Sequence, residues 1–166
     1  MYRHVDDFIS NWKYESANTL KLFKLLTPEV LDKKLNERVR TAGFLAWHIT
    51  HTLKEMMERT GLHIDCKEQE NYNGETPEEI YSAYEKASAS LLKELAAKWT
   101  DESLEIEDEM YGDKWKRGVT LHILIAHQAH HRGELVVIMR LLGLPVIGMY
   151  GPAYEEWQAF GMEPLK

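Results

Sequence analysis

Apolar residues recur along this chain with the three-to-four-residue spacing of helices that bury one face. From about Val5 to Leu26 the stripe is Val5, Phe8, Trp12, Thr19, Leu22 and Leu26. Thr27-Pro28 ends it, because the residue before proline is pushed out of the helical region. A short helical turn is expected at about Glu29 to Lys34. The second long segment opens at Thr41, an N-cap, and runs to about Thr60, ahead of Gly61. Its inner face carries Phe44, Leu45, His48, Ile49, Thr52, Leu53 and Met56. After a polar connection over 62–75, Thr76-Pro77-Glu78-Glu79 reads as a capping box with proline at N1. The third helix it starts buries Ile80, Tyr84, Ala87, Leu91 and Leu95 and ends near Trp99. Residues 101–118 fit extended structure or a turn. The fourth helix runs from about Val119 to Leu142, closed by Gly143 and Pro145; it is apolar around much of its circumference and should be the most buried. The aromatic tail, about 146–166, is expected to pack back on the bundle. Four long amphipathic segments with little strand signal predict an all-α fold, a four-helix bundle in one domain over 1–166. The long second and third connections leave its handedness open.

Composition narrows the function. At 166 residues the chain can bury a core without disulfides, and its one cysteine, Cys66, allows no intramolecular bridge, which fits a cytoplasmic protein. Cys66 lies among acids, in GLHIDCKEQE, which raise a thiol pKa and argue against a nucleophilic role. A formal net charge of −7, with bases alternating with acids, argues against a nucleic-acid footprint. There is no apolar run of membrane-spanning length, and MYRHVDDFIS is charged where a signal peptide needs apolar residues, so neither a membrane nor export by that route is expected.

Of eight histidines, four fall at 122, 127, 130 and 131. His127 and His131 are four residues apart and share a helix face with Leu124, Leu135 and Ile138. Two such imidazoles can converge on one ion. His48 sits in the apolar stripe of the second helix, so packing the two helices can bring it opposite the pair. A buried imidazole needs a partner, and one divalent ion would satisfy all three; hydrogen-bonded core histidines are the competing reading. His130 can replace His131, and His51 can replace His48, but both lie toward the stripe edges. His122 aligns with Ala126, Ala129 and Gly133, a small-residue face that reads as close helix–helix approach.

Two carboxylates are candidate catalytic groups. Glu134 borders the His127/His131 face, where it can orient a ligand imidazole, act on water at the metal, or simply pair at the rim. Glu15 occupies an apolar-stripe position of the first helix and so calls for a partner or a raised pKa. Arg132 can anchor an anionic substrate or pair with a glutamate of a neighbouring helix. Trp12, Trp47 and Tyr84 belong to the core or wall a pocket.

The run His127-Gln-Ala-His130-His131-Arg132-Gly133-Glu134 resembles the signature near the end of the DinB family, also called YfiT-like. The segment Leu45-Ala46-Trp47-His48-Ile49 resembles that family's second-helix histidine, and the resemblance covers essentially the whole chain. It implies a four-helix bundle of up-down-down-up connectivity and a metal held by His48, His127 and His131 rather than by His130 or His51. Nickel, zinc and iron all occur in the family, homodimers are common, and glutamine is usual where this chain has Glu134. The resemblance further implies either transfer to or from a low-molecular-weight thiol or hydrolysis of a small-molecule substrate. A non-catalytic metal-binding or stress-related protein is the alternative. DNA binding is not implied.

Overall fold

The computed structural model describes residues 1–164. Four long helices dominate: α1 (Val5–Phe23), α3 (Ala42–Glu58), α4 (Pro77–Lys98) and α5 (Arg117–Leu141), with a short α2 (Pro28–Leu31) before α3. Between α4 and α5 lie a 3-10 turn (Asp101–Glu105) and the strands β1 (Glu107–Met110) and β2 (Asp113–Lys116); a second 3-10 segment (Tyr154–Phe160) lies in the tail. No helix among the described residues is long and apolar enough to cross a membrane.

The helix starts follow local chemistry. The Thr41 side chain accepts from the Phe44 amide at the start of α3. Thr76 and Glu79 close a reciprocal capping box at α4. α1 ends three residues before the expected Leu26, because Leu25 and Leu26 tighten into 3-10 bonds to Leu22 and Phe23. α5 starts at Arg117 rather than Val119, once the Arg117 amide bonds back to Ile106.

Residues 101–118 fold back as an antiparallel hairpin, Glu107 facing Lys116 and Met110 facing Asp113. Its turn holds Tyr111 at φ 56° and Gly112 at φ 86°, the double left-handed geometry of a two-residue hairpin turn. Tyr111 donates to Glu55, and the Arg59 guanidinium lies 4.8 Å from the Tyr111 ring centre, so the hairpin docks on the second half of α3.

α3 packs against α4 and α5, and α1 packs against α4 and α5. The buried line of α5 is Leu121, Leu124, Gln128, His131, Leu135 and Ile138. Trp12, Trp47 and Tyr84 are all fully buried, with Trp12 donating to Ser88, Trp47 to the Gln69 carbonyl and Tyr84 to Gln128. They are core residues, not cavity walls at the histidines. The small-residue face of α5 is largely open: His122, Ala126 and Gly133 are exposed, and the tail approaches Ala129 and Gly133. That outcome follows from the opposite face already burying the seam with α3.

The tail packs back through polar anchors as well as through buried Val146 and Ala153; residues 165–166 of that expectation lie outside the described residues. Tyr14 donates to the Met149 carbonyl, and the Tyr150 hydroxyl meets both Glu15 and Arg132. Arg132, only 2% exposed, forms an ion pair with Glu15 and also donates to the Glu15 carbonyl at 2.7 Å and to Thr19. Glu15 is therefore held by Arg132 and Tyr150, joining α1, α5 and the tail, and it makes no bond to a histidine. Removing one member of a buried pair costs about 3–5 kcal/mol, because the other charge stays buried. Glu15→Ala should lower stability in urea denaturation by that amount; a loss of about 0–1 kcal/mol, the range of exposed pairs, would contradict this role.

Candidate metal centre

Helix spacing and interhelical register together build the site. His127 and His131 lie one turn apart on α5, and His48 on α3 faces them across the seam. The Nε2 atoms of His127 and His131 are 3.1 Å apart, and those of His127 and His48 are 3.3 Å apart. The three rings are mutually tilted, with interplanar angles of 61°, 73° and 87°, so their nitrogens converge on a common point rather than stack. Ligands at about 2.0–2.1 Å from an ion at tetrahedral angles stand about 3.3 Å apart, so the observed spacing fits one ion.

Hydrogen bonding alone serves this arrangement badly. His131 Nδ1 lies 2.6 Å from a Glu134 carboxylate oxygen, which places a proton on Nδ1, the tautomer whose Nε2 carries a lone pair. His127 Nε2 has two nitrogen neighbours but holds one proton or one lone pair. An ion would engage all three lone pairs at once. His127 Nδ1 is buried without a hydrogen-bond partner.

The supports differ in kind. The Phe44 ring stacks on His48 at 6.0 Å, and the His48 carbonyl accepts from Thr52. Gln128, next to His127, donates to the Ile49 carbonyl, next to His48, at 2.7 Å. That bond was not anticipated from the sequence, although Gln128 falls on the seam line between Leu124 and His131. Of the rival histidines, His130 is exposed and lies 3.7 Å from Glu134. His51 is only 8% exposed, so it is not at a stripe edge. It lines a cavity of about 470 Å³ with His48, His127 and the hairpin residues Tyr111 and Trp115. Only His48, His127 and His131 bring three histidine nitrogens together among the described residues. A second possible grouping, His130, His131 and Glu134, uses the carboxylate already bonded to His131.

Cys66, half-buried, lies in a separate loop depression with Lys67 and Glu79, and burial pushes its thiol up. It is not part of the histidine site.

Burial, and next the proximity of His131, pulls both His48 and His127 from the ordinary 6.5 down to about 4. Burial raises the Glu134 carboxyl, but the hydrogen bond from His131, together with the nearby His130 and Arg40, outweighs it and holds the group below its usual value. Both imidazoles are thus neutral at neutral pH. Because the unfolded chain takes up these protons near 6.5 and the folded chain only near 4, the metal-free protein should be fully stable above about 6.5 and lose stability as pH falls toward about 4. Urea denaturation across that window should show the loss, and His48→Gln/His127→Gln should flatten it; an unchanged slope in the variant would contradict the assignment.

The DinB family model matches residues 1–165. The protein YrdA of Bacillus subtilis is 34% identical over 166 residues, covering 100% of this chain and 99% of YrdA. A crystal structure of a DinB-like protein from Bacillus cereus superposes with a TM-score of 0.85 at 31% identity, covering 90% of this chain and 100% of that one. A second DinB-like structure, YjoA of Bacillus subtilis, shares the fold at a TM-score of 0.69 and 18% identity, covering 89% of this chain and 99% of that one. Helical architecture, the histidine cluster and these matches agree: the chain belongs to the DinB family.

Proposed function

We propose that His48, His127 and His131 hold one divalent ion and that the protein is a metal-dependent enzyme of small-molecule chemistry, transferring a group to or from a low-molecular-weight thiol. The observation that carries this reading is the convergence of three Nε2 atoms at 3.1 and 3.3 Å, with no fourth ligand in that cluster among the described residues. Three neutral histidines leave a coordination position open, as catalytic sites do. The nitrogen donor set suits nickel, zinc or iron.

When bound, such an ion supplies Lewis acidity that favours the thiolate of a thiol or the ionised form of water. The chain's own groups supply the rest. His48 and His127 open on the 470 Å³ cavity, which is large enough to admit a small molecule. Glu134 fixes the His131 tautomer, keeping Nε2 free to ligate. Cys66 stands elsewhere, so a reacting thiol comes from outside the chain. Hydrolysis is the second reading, favoured by the same open position; turnover of an ester without added thiol would select it.

The accompanying fold reading is a four-helix bundle of up-down-down-up connectivity. In support, Trp12–Ser88 and Phe23–Tyr84 run α1 and α4 oppositely. Tyr2 beside Gly118 and Glu15 beside Arg132 run α1 and α5 together. A homodimer is part of the proposal, and the outward residue Leu141, 66% exposed, supplies apolar surface for it.

Protein purified without a metal-binding tag and loaded with nickel or zinc should carry about one ion per chain, and His127→Ala or His131→Ala should each lose most of it. Less than about a tenth of an equivalent in the parent protein would overturn the reading. By chelator competition, Glu134→Ala should weaken the metal about 10- to 100-fold, while Glu134→Gln, whose amide oxygen still accepts from His131, stays near the parent. An unchanged Glu134→Ala would remove Glu134 from the site.

A further inference from the structure

Two cavities of opposite character lie along the α3–α5 seam: His48 and His127 line one, and Glu134, bonded to His131, borders the other. On one side His48 and His127 face the space walled by Tyr111, Trp115, Met56 and Ile123, whose charged members are the acids Glu55 and Glu70. On the other side Leu45, Val137 and Ile138 floor a groove of about 370 Å³ bordered by Arg38, Arg40 and Glu134. We propose that Arg38 and Arg40 form an anion-binding subsite, so that the substrate carries an anionic head group held in this groove while its reactive part reaches the histidines. This rests on the metal-enzyme reading above and adds the substrate's charge and orientation to it.

Four observations carry it. Both arginines are exposed, and neither enters an ion pair among the described residues, although Asp32 and Glu37 lie in the same loop. In a chain of net charge −7, two guanidiniums on one groove without an ion-pair partner among the described residues are a local exception. Arg40 is also aimed: its guanidinium lies 5.1 Å from the Phe44 ring centre, and Phe44 stacks on His48. The single acid bordering the groove, Glu134, is already turned to His131 at 2.6 Å.

The opposite cavity repels an anion through Glu55 and Glu70, although Glu55 is partly compensated by Arg59 and Tyr111. A guanidinium binds carboxylate or phosphate in the same two-pronged manner, so the shared feature is the anionic group. The apolar floor of Leu45, Val137 and Ile138 favours a head group joined to a hydrocarbon stretch.

Calorimetric titration of the metal-loaded chain with succinate, and separately with inorganic phosphate, tests this. Saturable binding of at least one anion is expected, weakened about tenfold or more in Arg38→Ala/Arg40→Ala. Preference between the two anions tells a carboxylate head group from a phosphate. The same titration on chelator-stripped protein and on His127→Ala separates the two proposals: binding to the arginines persists without the metal. Absence of saturable binding of either anion up to about 10 mM, or binding that the double variant retains, overturns the subsite. Binding that vanishes with the metal overturns it too, since the anion would then sit on the ion. A chain that holds no metal yet still binds the anion through Arg38 and Arg40 would fail the metal reading and keep the subsite.

Discussion

Gln128 is the neighbour of His127, Ile49 is the neighbour of His48, and a 2.7 Å hydrogen bond joins the Gln128 amide to the Ile49 carbonyl. The other end of Gln128 accepts from Tyr84 of α4, so one fully buried amide ties three helices together. Leaving such a group unpaired costs about 1–3 kcal/mol, and any slip of α5 against α3 would do so. The bond therefore sets the register that brings the three imidazoles together. The same slip would also move Leu124, Leu135 and Ile138 off the seam they fill.

On either side of that register lies a further polar system. On the α3 side of α5, His131 joins His48 and His127, with Glu134 behind it. On the α1 side, the adjacent Arg132 is satisfied by Glu15, Thr19 and Tyr150. Successive residues on a helix point about 100° apart, so one can serve the site while the next ties the tail to the core. The Glu15–Arg132–Tyr150 unit is thus a structural clasp that supports the helix bearing the ligands. The hairpin plays a comparable part for α3, closing the cavity at His51 with Tyr111 and Trp115.

Much of this was legible in the sequence where the signal is local. The His127/His131 pair follows from helical spacing, and the start of α4 follows from Thr76, Pro77 and Glu79. An apolar-stripe glutamate and an arginine beside the histidines raised the need for partners, which proved to be each other. What escaped was set by tertiary contacts. The hairpin turn uses Tyr111-Gly112, and a tyrosine at positive φ carries no turn signature; its docking on Glu55 and Arg59 holds it there. His51 looked peripheral because helix periodicity ignores a hairpin that folds over from elsewhere in the chain. The small-residue face around Ala126 and Gly133 was legible as unusual, but which partner approaches it is a property of the whole packing arrangement. The pairing of His48 with the other two likewise depended on interhelical register, which spacing within one helix cannot supply.

One ion held by three imidazoles, as proposed, differs from a set of hydrogen-bonded core histidines in a directly observable way. An anomalous difference map recorded at the absorption edge of the loaded metal tests it most directly. One peak at about 2.0–2.2 Å from the Nε2 atoms of His48, His127 and His131 is the predicted result. No peak there, or a peak held by His130 and Glu134 instead, would contradict it.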